Sequence, residues 1–281
     1  MPDDPVLFEV RDNVAHVTLN RPRAGNALDL EMAKQLMGAA LRCEADHGVR
    51  AVLLKAVGKS FCAGGDVKIF LAQKELPVYL REITSFLHLA ISRFARLDAP
   101  VIAAVQGPAA GGGFSLAISC DLVIAAESSN FLMAYSKIGM APDGGSTYFL
   151  PRLVGLKRAM ELALTNRVLS AREACEWGIV TEVVPPENLE SRAEELARYL
   201  AQGPTGAFGS AKRLLHGGWN QTLETQMELE SRSIAETGGT ADGQEGIRAF
   251  VEKRKAKFGR RYRAFKSPIS EWRPFIAAFD R

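Results

Sequence analysis

Two glycine-bearing segments hold the residue types most suited to chemistry: Phe61-Cys62-Ala63-Gly64-Gly65-Asp66 and Gly107-Pro108-Ala109-Ala110-Gly111-Gly112-Gly113. Each follows an apolar, β-branched run, Ala51 to Val57 before the first and Val101 to Val105 before the second, and each is expected to lead into an amphipathic stretch. A strand, then glycines, then a helix start leaves backbone N–H groups without partners and lets a ligand approach them closely. Two such loops facing one another would place two N–H donors around one developing negative charge, which is an oxyanion hole. A plain tight turn is the competing reading of Gly111-Gly112-Gly113. Nucleotide readings are weak, because neither a GxGxxG fingerprint nor a GxxxxGK[ST] phosphate loop occurs.

A carboxylate stands in Gly139-Met140-Ala141-Pro142-Asp143-Gly144-Gly145-Ser146-Thr147. Between a proline and two glycines, ahead of an expected helix, Asp143 reads in isolation as a cap or turn residue. His88 falls on an expected helix. His16, His47 and His216 form no cluster with it, and no metal site is expected.

The elements around these residues alternate. Val6 to Arg11 and Val14 to Leu19 alternate apolar and polar side chains about Asp12-Asn13, as a hairpin does. Helical spacing runs from Leu28 to Ala45 with Asp29 as cap, and strand character returns from Val49 to Val57. Tyr79 to Leu97 carries Leu80, Ile83, Leu87, Ile91 and Phe94 at three- and four-residue steps, a crossover helix that implies a parallel sheet. A helix from Gly112 to Ser119, a strand from Leu122 to Ala125 and a short strand near Phe131 follow. Beyond Pro151 the pattern is helical, at Leu156–Leu164, Ala171–Glu176, Leu189–Ala201, Gly206–Leu215, Leu223–Glu236 and Asp242–Lys255, apart from Ile179 to Val184. The fold class is α/β with a helical C-terminal part.

Composition bounds the function. With 281 residues, 47% hydrophobic and 24% charged, the chain has the make-up of a globular protein with a sizeable core. A net charge of +3, concentrated from Lys253 to Lys266, is no nucleic-acid footprint, though it suits a phosphorylated small molecule. Cys43, Cys62, Cys120 and Cys175 lack metal-ligand spacing and read as reduced cysteines. The acidic start, Met1-Pro2-Asp3-Asp4-Pro5, lacks a secretory signal, and the apolar Val101–Ser119 stretch is broken by Gln106, Pro108 and glycines. A cytoplasmic location is expected.

The two loops, the strand Pro100-Val101-Ile102-Ala103-Ala104-Val105-Gln106-Gly107 between them, and Cys120-Asp121 together resemble the enoyl-CoA hydratase/isomerase, or crotonase, family, over roughly Val6 to Lys257. The resemblance implies a ClpP/crotonase-like ββα superhelix core over 1–200, a helical oligomerisation part over 201–258 and a basic tail over 259–281. It implies an acyl-CoA thioester substrate and a homotrimer or dimer of trimers, with no nucleic acid or membrane partner. No cofactor is implied beyond the coenzyme A that the substrate carries. The backbone amides of Gly65 and Gly112 would hold the thioester oxygen. Arg23, Ala63, Lys68, Phe250 and Lys253 match coenzyme A-binding positions, although Lys68 and Lys253 also read as solvated helix surface, Lys253 equally so.

The chain departs from the hydratase pattern. The family's hydratases carry a glutamate two residues after the glycine triplet and another some twenty residues on, where this chain has Ser115 and Tyr135. Without these carboxylates, water addition lacks its usual machinery. Asp143 stands where some isomerases of the family carry their catalytic acid, and Phe131 to Gly139 resembles the ring 1,2-epoxyphenylacetyl-CoA isomerase branch. The expectation is an acyl-CoA isomerase with Asp143 as base and acid and with Ser115, Tyr135, Met140 and Tyr148 around the acyl group. Enoyl-CoA hydration is the alternative. A 4-chlorobenzoyl-CoA dehalogenase-like reaction, in which His88 would activate water and Asp143 attack, is a minor one, as is a non-catalytic acyl-CoA-binding protein.

Overall fold

A computed structural model describes residues 4–259. Strands β1 (Val6–Arg11) and β2 (Val14–Leu19) form the expected antiparallel hairpin, and its turn residues Asp12 and Asn13 take φ of 51° and 62°, as a two-residue hairpin turn requires. Helix α1 (Leu30–Ala45) starts at Asp29, whose carboxylate accepts from the Met32 N–H. Strand β3 (Ala51–Ala56) leads through the first glycine segment into a short helix α2 (Val67–Leu71) and then α3 (Leu76–Arg96). Helix α3 begins three residues before the expected Tyr79, because Pro77 fits its first turn, where no amide donor is needed.

Strand β4 (Val101–Val105) enters the second glycine segment, which holds the two-residue strand β5 (Ala109–Ala110) and opens helix α4 (Gly112–Ile118). Then follow β6 (Leu122–Ala126), β7 (Asn130–Leu132), a 3-10 turn at Tyr135–Ile138, α5 (Ser146–Val154), α6 (Leu156–Thr165), β8 (Leu169–Ser170), α7 (Ala171–Glu176), β9 (Glu182–Val184), α8 (Leu189–Ala201) and α9 (Thr205–Gly218). The main sheet has the order β1-β2-β3-β4-β6-β9 and is parallel beyond the hairpin. A small sheet, β5-β7-β8, lies apart from it.

Alternation along the strands decides what covers each face. Val52, Leu54, Ala103 and Val105 share one buried cluster with Met32 and Leu36 of α1 and Leu87, Ile91 and Phe94 of α3. Leu53, Ile102, Ala104 and Ile124 share the other with Ala193, Ala197 and Ala201 of α8.

Helix α4 corrects the expectation of an amphipathic stretch after the second glycine loop: all seven of its residues are buried. It is covered all round, with the Phe114 ring against Phe131 of β7 and with α5 and β5 packed on it. A helix enclosed in this way has no solvent face to be polar.

The chain divides into two compact units, one ending at Trp219 and one beginning at Asn220. Helix α9 therefore goes with the core and not, as a boundary at residue 200 has it, with the terminal part. The reason is local: the buried Lys212 of α9 pairs with Asp121 at 2.6 Å and donates to the Ala99 carbonyl at 3.2 Å. The second unit contains α10 (Leu223–Gly238) and α11 (Ala241–Val251). Of the basic tail, residues 260–281 lie outside the described residues. Among the described residues no helix is long and apolar enough to cross a membrane.

Candidate active site

The two glycine segments lie directly against each other. Cys62 and Ala109 form an isolated parallel bridge, and the Ala110 N–H donates to the Cys62 carbonyl at 2.9 Å. Gly64, at φ 96°, has no room for a side chain, since a Cβ there would stand 2.9 Å from the Ala110 oxygen and 3.5 Å from the Gly112 nitrogen. On its other side the first segment is bridged to Leu28, whose N–H donates to the Gly64 carbonyl at 2.7 Å and whose carbonyl accepts from the Asp66 N–H at 2.9 Å. Those bonds use the groups on either side of Gly65 and leave its own N–H out. Among the described residues, neither the Gly65 nor the Gly112 N–H donates to a protein acceptor.

Arg21, which is not among the candidates named from the sequence, supports the first segment. Its guanidinium reaches Asp66 at 3.0 Å and Asp29 at 3.1 Å, and it also donates to the Ala27 carbonyl. Asp66 and Asp29 cap α2 and α1, so one cation ties together the starts of both helices flanking the loop. An arginine in a loop gives no periodic signal. Only the fold brings the two carboxylates to it.

The candidate acid/base cluster forms beside the second segment. The Tyr135 hydroxyl donates to Asp143 Oδ1 at 2.6 Å. His88 Nε2 lies 3.4 Å from Asp143 Oδ2 and accepts from the Gly144 N–H at 3.2 Å. That second bond takes a lone pair on Nε2, the same nitrogen that faces Asp143 Oδ2. Ser115 Oγ is 2.8 Å from the Tyr135 hydroxyl, 3.1 Å from the Gly111 carbonyl and 3.0 Å from the Asp143 carbonyl. Ser146, also buried and unpredicted, donates to the Asp143 carbonyl at 2.9 Å. Burial first, and the neighbouring Asp143 charge second, push the Tyr135 phenol above its ordinary range, so it remains a neutral donor.

Backbone geometry makes this cluster possible. Gly144 and Gly145 both take positive φ, 61° and 75°, and turn the chain sharply into α5. A Cβ on Gly144 would stand 2.8 Å from the Ser115 Cβ. Asp143 itself gives no side-chain cap to α5; its carbonyl, not its carboxylate, accepts from Ser146. The capping explanation of this aspartate is thereby removed, and its carboxylate is left to Tyr135 and His88.

The sequence candidates fall into three groups. Gly65, Gly112, Ser115, Tyr135, Asp143 and His88 come together around the two loops. Met140 joins the same core edge, with its N–H on the Tyr135 carbonyl at 3.1 Å, whereas the Tyr148 hydroxyl turns to the His216 carbonyl at 3.3 Å and its ring lies under Arg152. Ser115 is fully buried, a bonding partner of the cluster and not an open wall. Arg23, Ala63 and Lys68 are exposed on or beside the first segment, and Phe250 and Lys253 are exposed in the second unit.

The pattern of the enoyl-CoA hydratase/isomerase family matches residues 9–261. The chain belongs to that family. This family member is 41% identical over 255 residues to the 1,2-epoxyphenylacetyl-CoA isomerase of Escherichia coli K12, a match covering 90% of this chain and 97% of that protein. It is 36% identical over 253 residues to the 4-chlorobenzoyl coenzyme A dehalogenase-2 of Arthrobacter sp., covering 89% and 92%. A solved enoyl-CoA hydratase from Polaromonas sp. JS666 superposes with a TM-score of 0.86 at 32% identity, covering 90% of this chain and 99% of that one. The fold is therefore that of the crotonase family, and the relatives' names span three chemistries on one scaffold.

Proposed function

We propose that this family member is an acyl-CoA isomerase that moves a proton through a thioester enolate, shifting a double bond or rearranging a ring. The observation that carries the reading is the carboxylate cluster: Asp143 is bonded by Tyr135 at 2.6 Å, and the two positions where hydratases of the family hold glutamates are hydroxyls engaged with Asp143. The Gly65 and Gly112 amides take the thioester oxygen. As the C–H bond next to the carbonyl breaks, its electron pair passes into the enolate and its proton to Asp143. The same carboxyl then returns that proton elsewhere on the acyl chain. One amide donor of this kind is worth about 2.7–4 kcal/mol of barrier.

Coenzyme A is carried by the substrate in this reading, with no separate cofactor, and it would be received by Arg23, Ala63 and Lys68, while Phe250 and Lys253 would reach the coenzyme A of a neighbouring subunit. A trimer or dimer of trimers in the cytoplasm is part of the same proposal. A second reading, dehalogenation, is favoured by one contact, His88 Nε2 at 3.4 Å from Asp143 Oδ2. One observation weakens it: the Nε2 lone pair that would take a proton from water is used by Gly144.

Incubation with 3-enoyl-CoA, crotonyl-CoA and 4-chlorobenzoyl-CoA separates the readings. Conversion of the first to a conjugated 2-enoyl-CoA, with little hydration of the second and no chloride from the third, is expected. Efficient hydration of crotonyl-CoA would overturn it.

A further inference from the structure

Of the two oxygens of Asp143, one is bonded and one is not. Oδ1 accepts from the half-buried Tyr135 hydroxyl at 2.6 Å, while among the described residues Oδ2 has only His88 Nε2 within ion-pair reach, at 3.4 Å, and that nitrogen already accepts from Gly144. The phenol has one hydrogen. Since it is given to Oδ1, the 2.8 Å contact between Tyr135 and Ser115 takes the serine hydrogen, for which it is the shortest contact, the Gly111 and Asp143 carbonyls standing at 3.1 Å and 3.0 Å. The chain of bonds thus runs in one direction, from Ser115 O–H to Tyr135 O–H to Asp143 Oδ1.

Ser115 is fixed at the other end of that chain. It sits in the enclosed helix α4, its side chain is fully buried, and its N–H bonds the Gly111 carbonyl at 3.0 Å, in the same peptide unit that bears the Gly112 N–H. The carboxyl is therefore held at a set place relative to the second glycine loop by a path that contains no exposed link.

We propose that Tyr135 is a positioning residue, oriented by Ser115, that fixes Asp143 through Oδ1 and reserves Oδ2 as the oxygen that takes and returns the substrate proton. This inference rests on the isomerase reading and adds a division of labour within it. Two hydroxyls at the hydratase glutamate positions serve the carboxylate in place of water. A hydrogen bond to an ionised partner is roughly twice as strong as a neutral one, so the aim of the carboxyl depends more on Tyr135 than on Ser115.

The test is a double-mutant cycle with Tyr135→Phe and Ser115→Ala, each removing one oxygen and nearly no volume, read on 3-enoyl-CoA isomerisation and on exchange of the α-hydrogens of a saturated acyl-CoA in deuterium oxide. Tyr135→Phe is expected to lower kcat by about tenfold to a hundredfold with KM changed less than about threefold, as loss of one charge-assisted bond in the reacting group predicts. Ser115→Ala is expected to lower kcat by a smaller factor, and the double variant to be little worse than Tyr135→Phe alone, because the serine acts through the phenol. Thermal unfolding of each variant separates misfolding from misplacement, and coupling between the two sites is not produced by independent losses of stability.

Penalties that multiply, or a Tyr135→Phe protein with kcat within about twofold of wild type, would overturn the positioning role while leaving the isomerase reading intact. A wild-type protein that neither isomerises nor exchanges would overturn the isomerase reading and this inference together.

Discussion

The two halves of the site are built from different materials. The glycine cradle is made of main chain: its proposed donors are amides, its walls are loops bridged to each other at Cys62 and Ala109, and its shape depends on side chains being absent. The carboxylate cluster is made of side chains from three separate stretches, α3, α4 and the region from Tyr135 to Gly144, joined by hydrogen bonds of 2.6 to 3.2 Å. A main-chain cradle keeps its chemistry whatever the side chains do, so it suits the step shared across a family. A side-chain cluster can be rebuilt by two or three substitutions, so it is where relatives named isomerase, hydratase and dehalogenase would diverge.

The sharpest way to break that contrast is to put a side chain into the cradle. A Cβ on Gly113 would collide with the carbonyl and Cβ of Cys62, neither of which is the end of a flexible group, whereas one on Gly112 meets only the tip of Leu28 at 2.8 Å. Gly113→Ala is expected to lower stability by about 1–3 kcal/mol, the usual penalty of overpacking, and Gly112→Ala by distinctly less. Chemical denaturation of both proteins checks this, and equal losses would mean that the loops are not the tight frame described.

A smaller effect concerns Cys62, the one side chain in the cradle with intrinsic reactivity. Burial pushes its thiol up to about 12, so at neutral pH it stays protonated and poorly nucleophilic. Iodoacetamide is expected to leave it untouched in the folded protein and to modify it on unfolding, as peptide mass mapping would establish. Rapid labelling of the native protein at Cys62 would show the two loops separating more readily than their bridge implies.

The same difference in materials explains what was legible beforehand. Gly65 and Gly112 stand out because glycines between a strand and a helix form a pattern in one dimension, and the elements around them follow from periodicity: Asp29 caps α1, and Ala171–Glu176 and Leu189–Ala201 are helices as read. Arg21 and Ser146 gave no such signal, since their partners lie far along the chain or depend on the αL conformation of Gly144 and Gly145. Helix α2 and strands β5 and β8, five residues or fewer, are too short for a period to show. Ser115 and Tyr135 were noticed for what they are not, glutamates. What they do, bonding Asp143, required the fold.

The central claim is that the Asp143 carboxylate handles the proton while the Gly65 and Gly112 amides hold the thioester oxygen. The most direct measurement is the rate at which the protein exchanges the α-hydrogens of a saturated acyl-CoA in deuterium oxide, compared with Asp143→Asn, which keeps the size of the side chain and removes its basicity. The account predicts ready exchange by the wild-type protein and a fall of about 10²–10⁴-fold in the variant, the contribution expected of a positioned general base. Exchange that survives unchanged in Asp143→Asn would contradict it.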